Sequence, residues 1–139
     1  MDDLDYVLST IDPWLNAYLS NGPSTLQGLA LIGVGVWTLE AEVNNGGFDQ
    51  YYFNSAGCLA IPTVQSLTLI GANNTASLLA AANAEFPNSR PPVDRSERQN
   101  LLEQMGEHAR FSTLETEFYQ DKDLRIARLA QYLRAKSNE

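Results

Sequence analysis

The sequence predicts an all-α fold, arranged as a single compact domain of six to eight helices. Three observations carry that expectation. Apolar residues recur at spacings of three and four along most of the chain. Capping residues, glycines and prolines punctuate the stretches between. No pair of segments alternates as two strands would. Ile32–Trp37 is the competing strand reading, and nothing nearby alternates to partner it. Hydrophobic residues make up 44% of the 139 residues and charged residues 19%, a globular balance and not a disordered one. That length suits one domain, 1–139, burying about two thirds of the unfolded chain's surface.

Leu4, Val7, Leu8, Ile11, Trp14, Leu15, Tyr18 and Leu19 form one helical stripe. Pro13 either kinks this helix or opens a second one capped by Asp12. Asn21-Gly22-Pro23 is a turn, after which Ser24 or Thr25 can cap the next helix. That helix spans about 25–43 and is apolar nearly all round, so it is predicted to be the central one. Gly28, Gly33 and Gly35 within it would let a neighbouring helix approach closely. Asn44-Asn45-Gly46-Gly47 ends it. A short helix over about 49–54 follows, ending at Gly57. Pro62 then suits the first turn of a helix closed by Gly71. Asn73-Asn74-Thr75 starts another, which Phe86-Pro87 stops. Residues 87–93 hold three prolines and form the longest loop. Asp94-Arg95-Ser96-Glu97 is a capping-box-like start, and Ser112-Thr113-Leu114-Glu115 a regular capping box. A last helix covers about 123–135.

The chain carries 17 acidic and 9 basic residues, a formal net charge of −8. Arg90 is the first basic residue. Residues 1–89 hold eight acids and no base, while residues 90–139 hold nine of each. Such a surface repels nucleic acid and anionic membranes and favours basic partners. The plainer reading is a solubilising surface. One cysteine excludes an internal disulfide. One cysteine and one histidine exclude the usual zinc sets. Met1-Asp2-Asp3 lacks the basic start of a secretory signal, and the longest apolar run, Leu26–Leu39, is too short to span a bilayer. These features predict a cytoplasmic protein.

Catalytic options are thin. Glu40, Glu42 and Asp49 could form a carboxylate pair or hold Mg²⁺, but Glu40 and Glu42 face different sides of a helix and read as surface acids. Ser55 lacks a nucleophile-elbow context, and His108 reads as a surface residue on an exposed helix end. Gly33-Val34-Gly35 lacks the third glycine of a dinucleotide fingerprint, with Thr38 in its place. Cys58 reads as a small buried hydrophobe. Arg125 and Arg128 share a helix face, with Asp121 and Glu117 near enough to pair. No cofactor and no metal is expected.

The densest polar cluster runs from Glu40 to Gly57. It is either a ligand or partner site, or a buried corner whose amides satisfy loose backbone groups while its aromatics fill the core. Its run VNNGGFDQYYFNSAG, with LIGA at 69–72, FP at 86–87, VDRSER at 93–98 and LETEFY at 114–119, closely resembles the bacterial DNA-mimic protein family. The motif residues are Asn44, Asn45, Gly46, Gly47, Phe48, Gln50, Tyr51, Asn54, Ser55 and Gly57. The match keeps the family's order over about 36–133. The resemblance implies an all-α fold, no enzymatic activity and homodimers. It further implies that surface carboxylates imitate DNA phosphates and occupy a transcription factor's DNA-binding face. The motif contains only Asp49 as an acid, so the imitation would rest on acids outside it. The candidates are Asp2, Asp3, Asp5, Asp12, Glu40, Glu42 and Asp49.

The expected partner is therefore a basic DNA-binding protein, with neither nucleic acid nor membrane bound directly, and the expected role is transcription regulation. Two alternatives stay open. One is an immunity-type module neutralising a toxin or nuclease. The other is a small-molecule site at the Asn44–Ser55 corner, which needs an open pocket lined by Asp49, Gln50 and Asn54.

Overall fold

The computed structural model describes residues 1–106 and 109–137. The expectation for His108 falls outside them. The described residues form seven α-helices and no strand: α1 (Asp3–Asn21), α2 (Leu29–Phe53), α3 (Ala60–Leu69), α4 (Asn73–Asn83), α5 (Arg95–Met105), α6 (Phe111–Phe118) and α7 (Arg125–Ser137). Three 3-10 turns lie at Pro23–Thr25, Ser55–Leu59 and Pro87–Ser89. No helix among the described residues is long and apolar enough to cross a membrane.

The apolar all-round helix is the centre, as its sequence predicts. Val34, Val36, Leu39, Val43, Phe48, Tyr51 and Tyr52 of α2 are fully buried. It touches α1, α3, α5, α6 and α7. Two glycines permit this crowding. A Cβ on Gly33 would lie 2.9 Å from Ile11 Cγ2 of α1, and one on Gly35 would lie 2.7 Å from Thr63 Oγ1 of α3.

Several boundaries move. α1 runs unbroken through Pro13. Proline removes one internal hydrogen bond, and the buried Val7, Ile11 and Tyr18 outweigh that loss. α2 starts at Leu29, not Thr25, because Gly28 has φ +57° and Thr25 closes the 3-10 turn. α3 starts two residues before Pro62, which occupies a first-turn position whose N–H has no helical partner anyway. Ser112 is not a cap, because α6 begins at Phe111, whose ring is buried. α7 begins at Arg125, since Leu124 has φ +54°. The Asp94 cap stands: Glu97 N–H donates to Asp94 Oδ2 at 2.9 Å.

Candidate functional site

The motif run folds as the second half of α2. The helix breaks at Gly46 (φ −152°) and Gly47 (φ 75°, ψ −174°) and resumes at Phe48. The sequence expectation of an end at 44–47 and a short helix after it is met by this break. Gly47 is required twice over. Its φ disfavours a side chain, and a Cβ there would meet Glu115 Oε2 at 2.5 Å.

A break exposes backbone groups, and the structure satisfies them from a distance. Phe48 N–H donates to Glu115 Oε2 at 2.8 Å. Tyr119 Oη donates to Val43 O at 3.2 Å. Arg98 donates from Nε to Tyr52 O at 2.6 Å and from Nη2 to Asn54 O at 2.7 Å. Gln99 Nε2 and Arg95 Nε both donate to Phe53 O. The motif amides do something else. Asn44 donates to Glu40, Asn45 to Gln50, and both Gln50 (2.7 Å) and Asn54 (3.0 Å) to Glu42 Oε2. The expectation that these amides satisfy loose backbone is thus corrected. They tie side chains together, and residues 42 to 76 positions away close the backbone.

The aromatic half of that expectation is met. Phe48, Tyr51 and Tyr52 are fully buried. Phe48 packs edge-on to Phe118, and Tyr52 lies 4.7 Å from the Phe86 ring. Tyr52 Oη donates to Asn83 Oδ1 at 2.6 Å. Phe53 instead stays half exposed. The runs VDRSER, FP and LETEFY therefore converge on the corner through Arg98, Phe86, Glu115, Phe118 and Tyr119.

The carboxylate of Glu115 sits in this knot. Burial raises its pKa above the ordinary 4.5, against the pull of the Phe48 N–H and with a further push from Asp49. A raised folded value means stability that is complete below 4.5 and lost as pH rises through the folded value. We expect the unfolding free energy of the native chain, relative to Glu115→Gln, to become larger, that is the native chain more stable, as pH falls from about 7 towards 4.5. Urea titrations of both proteins across that range check it. A trend of opposite sign would mean that the Phe48 bond outweighs burial.

The predicted acids divide into three kinds. Asp3 and Glu40 are in ion pairs with Arg134 (2.7 Å) and Arg125 of α7. Glu40 is therefore not a surface acid: its side chain is only 14% exposed and it partners the fully buried Arg125 guanidinium. The expected pairing of the α7 arginines is met in part. Asp121 pairs with Arg125 at 3.5 Å and accepts its backbone N–H at 3.0 Å, whereas Glu117 pairs with Lys122 and Arg128 donates to Asp123 O. Glu42 is committed to the two amides. Asp2, Asp5, Asp12 and Asp49 remain exposed. Asp2 also caps α1 through the Asp5 N–H at 2.8 Å.

These exposed acids do not form one group. Asp2, Asp5 and Asp12 lie along α1. Asp49 lies on an open groove of about 730 Å³ between α2 and α5, with Gln50, Asn54, Gln99 and Glu103. The pocket required for a small-molecule site thus exists, but the amides of Gln50 and Asn54 are held by Glu42. No group of three or more acid, cysteine or histidine side chains among the described residues could hold a metal. Cys58 is half-buried and lines a second cavity, which corrects its reading as a buried hydrophobe. Sequence reasoning missed Arg98 and Glu115 as the residues that close the corner, since each is separated from it by more than 40 positions.

No curated protein and no solved structure matches the chain at the significance required. A family model described as DMP19-like protein matches residues 24–136, beginning just after α1 and covering every element that builds the corner. The chain belongs to the DMP19-like protein family.

Proposed function

We propose that this protein is a non-catalytic DNA mimic whose exposed carboxylates occupy the DNA-binding surface of a basic protein such as a transcription factor. Family membership supports the reading, because the motif run resembles that of DNA mimics. One structural observation carries it further. Asp5 and Asp12 are exposed on an unbroken α1, seven residues and so about 10 Å apart on one stripe. Phosphates repeat about every 3.4 Å of rise along one strand, so that gap equals about three base pairs. No basic residue precedes Arg90, so α1 presents these acids without cations of its own. A basic surface that binds them excludes DNA by competition.

The reading predicts salt-sensitive binding, since exposed charges are screened within about 8–10 Å at physiological ionic strength. The test is a pull-down from the native host's lysate, eluted with a salt gradient and identified by mass spectrometry. A DNA-binding protein released at moderate salt and displaced by duplex DNA is the expected result. A toxin or nuclease would replace this reading with the immunity-type one. The double variant Asp5→Asn/Asp12→Asn should fold normally and lose about tenfold in affinity for that partner at low salt. Unchanged affinity in that variant would sink the role of α1.

A further inference from the structure

A second cavity, of about 300 Å³, opens between the C-terminal end of α1, the Ser55–Leu59 turn and the start of α5. Its charge is opposite to that of the chain. Arg95 and Arg98 line it, and no acid does. Arg98 is wholly buried, and its hydrogen bonds run to four backbone carbonyls, those of Tyr52, Asn54, Pro92 and Val93. Those bonds use the Nε hydrogen, both hydrogens of Nη1 and one of Nη2. One Nη2 hydrogen is left over from a guanidinium's five. Carbonyl dipoles solvate the cation but do not neutralise it, and a buried charge without an opposite charge is costly.

The rest of the lining suits an anion with an apolar body. Ser55 and Tyr18 also line the cavity, and the Tyr18 hydroxyl lies 3.8 Å from Cys58 Sγ, another lining residue. Burial pushes Tyr18 up to about 12, so it stays protonated and able to donate. Leu19 and Val93 also line it, and they are 67% and 66% exposed, an apolar rim with nothing over it among the described residues. The volume is at the lower end of small-molecule sites.

We propose that this cavity binds a small organic carboxylate, its carboxylate beside Arg98 Nη2 and the Arg95 guanidinium and its apolar body against Leu19 and Val93. Charge-assisted bonds to guanidinium are short and strong, and here they would supply the missing counter-charge. The proposal does not depend on the DNA-mimic reading, because α1 faces this cavity with its C-terminal end and not with Asp5 or Asp12.

Cys58 makes the test direct, since it lines the cavity and is the only cysteine in the chain. Its alkylation rates with iodoacetate and with neutral iodoacetamide are measured on the folded full chain and on the urea-unfolded chain. The iodoacetate-to-iodoacetamide ratio should be about tenfold higher in the folded chain, and Arg95→Gln should reduce it. Phenylacetate should protect Cys58 saturably, while 2-phenylethanol at equal concentration should not. An unchanged ratio, equal protection by both compounds, or equal protection by inorganic phosphate would overturn the proposal. Amide shifts of Ser55, Val93 and Arg95 on adding phenylacetate give a second readout, independent of thiol reactivity. Saturable shifts there support the site, and their absence rejects it even if the thiol is unreactive.

Discussion

Replacing Arg125 by methionine is expected to cost about 3–5 kcal/mol of folding stability. Arg125 is 1% exposed and lies where α7, α2, α4 and α6 meet. Its guanidinium donates to Glu40, to Thr75 Oγ1 at 3.3 Å and to Phe118 O at 3.1 Å, and stacks 3.7 Å above the Phe118 ring. Methionine would leave the largely buried Glu40 carboxylate without its counter-charge, which is the costly half of breaking such a pair. Glu40→Gln placed in the Arg125→Met background should therefore recover part of the loss, and the two changes should be non-additive by about 0.5–3 kcal/mol. Urea unfolding of the two single variants and the double variant measures this. Simple additivity would show that Glu40 is stabilised without Arg125.

Arg98→Met should cost at least about 3 kcal/mol, although it removes a buried charge. Four carbonyls from two chain segments converge on one guanidinium, and no methionine can satisfy them. Lysine could reach some of these carbonyls but not with the fixed fork of five donors, so Arg98→Lys should recover only part of the loss. Gly57→Ala probes the same contact from the other side. A Cβ there would lie 2.6 Å from Arg98 Nε, 2.9 Å from Tyr51 O and 3.0 Å from Tyr52 Cα. Two of those neighbours are backbone and cannot swing away, so a cost of about 1–3 kcal/mol is expected. Thermal unfolding of each variant, with far-UV circular dichroism to verify the fold, provides the comparison. A native-like melting temperature for Arg98→Met would show that water satisfies the carbonyls.

These residues also explain what the family run does. Asn44 to Gly57 holds the molecule together and carries one acid, Asp49. The exposed acids on α1 lie before residue 24, where the family match starts. On the proposed DNA-mimic reading, fold and partner recognition would reside in separate parts of the chain. Substitutions at Asp5 or Asp12 can alter binding without touching the corner, and those at Gly47, Gly57 or Arg98 act through stability.

The helices were legible in the sequence because they follow from local spacing. The central position of α2 followed from apolar residues around its whole circumference, and the break at 44–47 from paired asparagines and glycines. The turn at Gly22 and the Asp94 cap were equally local. What the spacing could not contain was which distant group closes each exposed backbone atom. The capping-box pattern at Ser112–Glu115 looked local, yet Glu115 serves Phe48, 67 residues away, because the glycine break leaves an N–H there that must be paired. Glu40 looked like a surface acid by residue type, and the packing of α7 made it the counter-charge of a buried arginine. The eight acids of the first 89 residues are countable from the sequence. Which of them remain available was decided only when α7 returned against α1 and α2, since an ion pair depends on proximity in space, which helix periodicity does not encode.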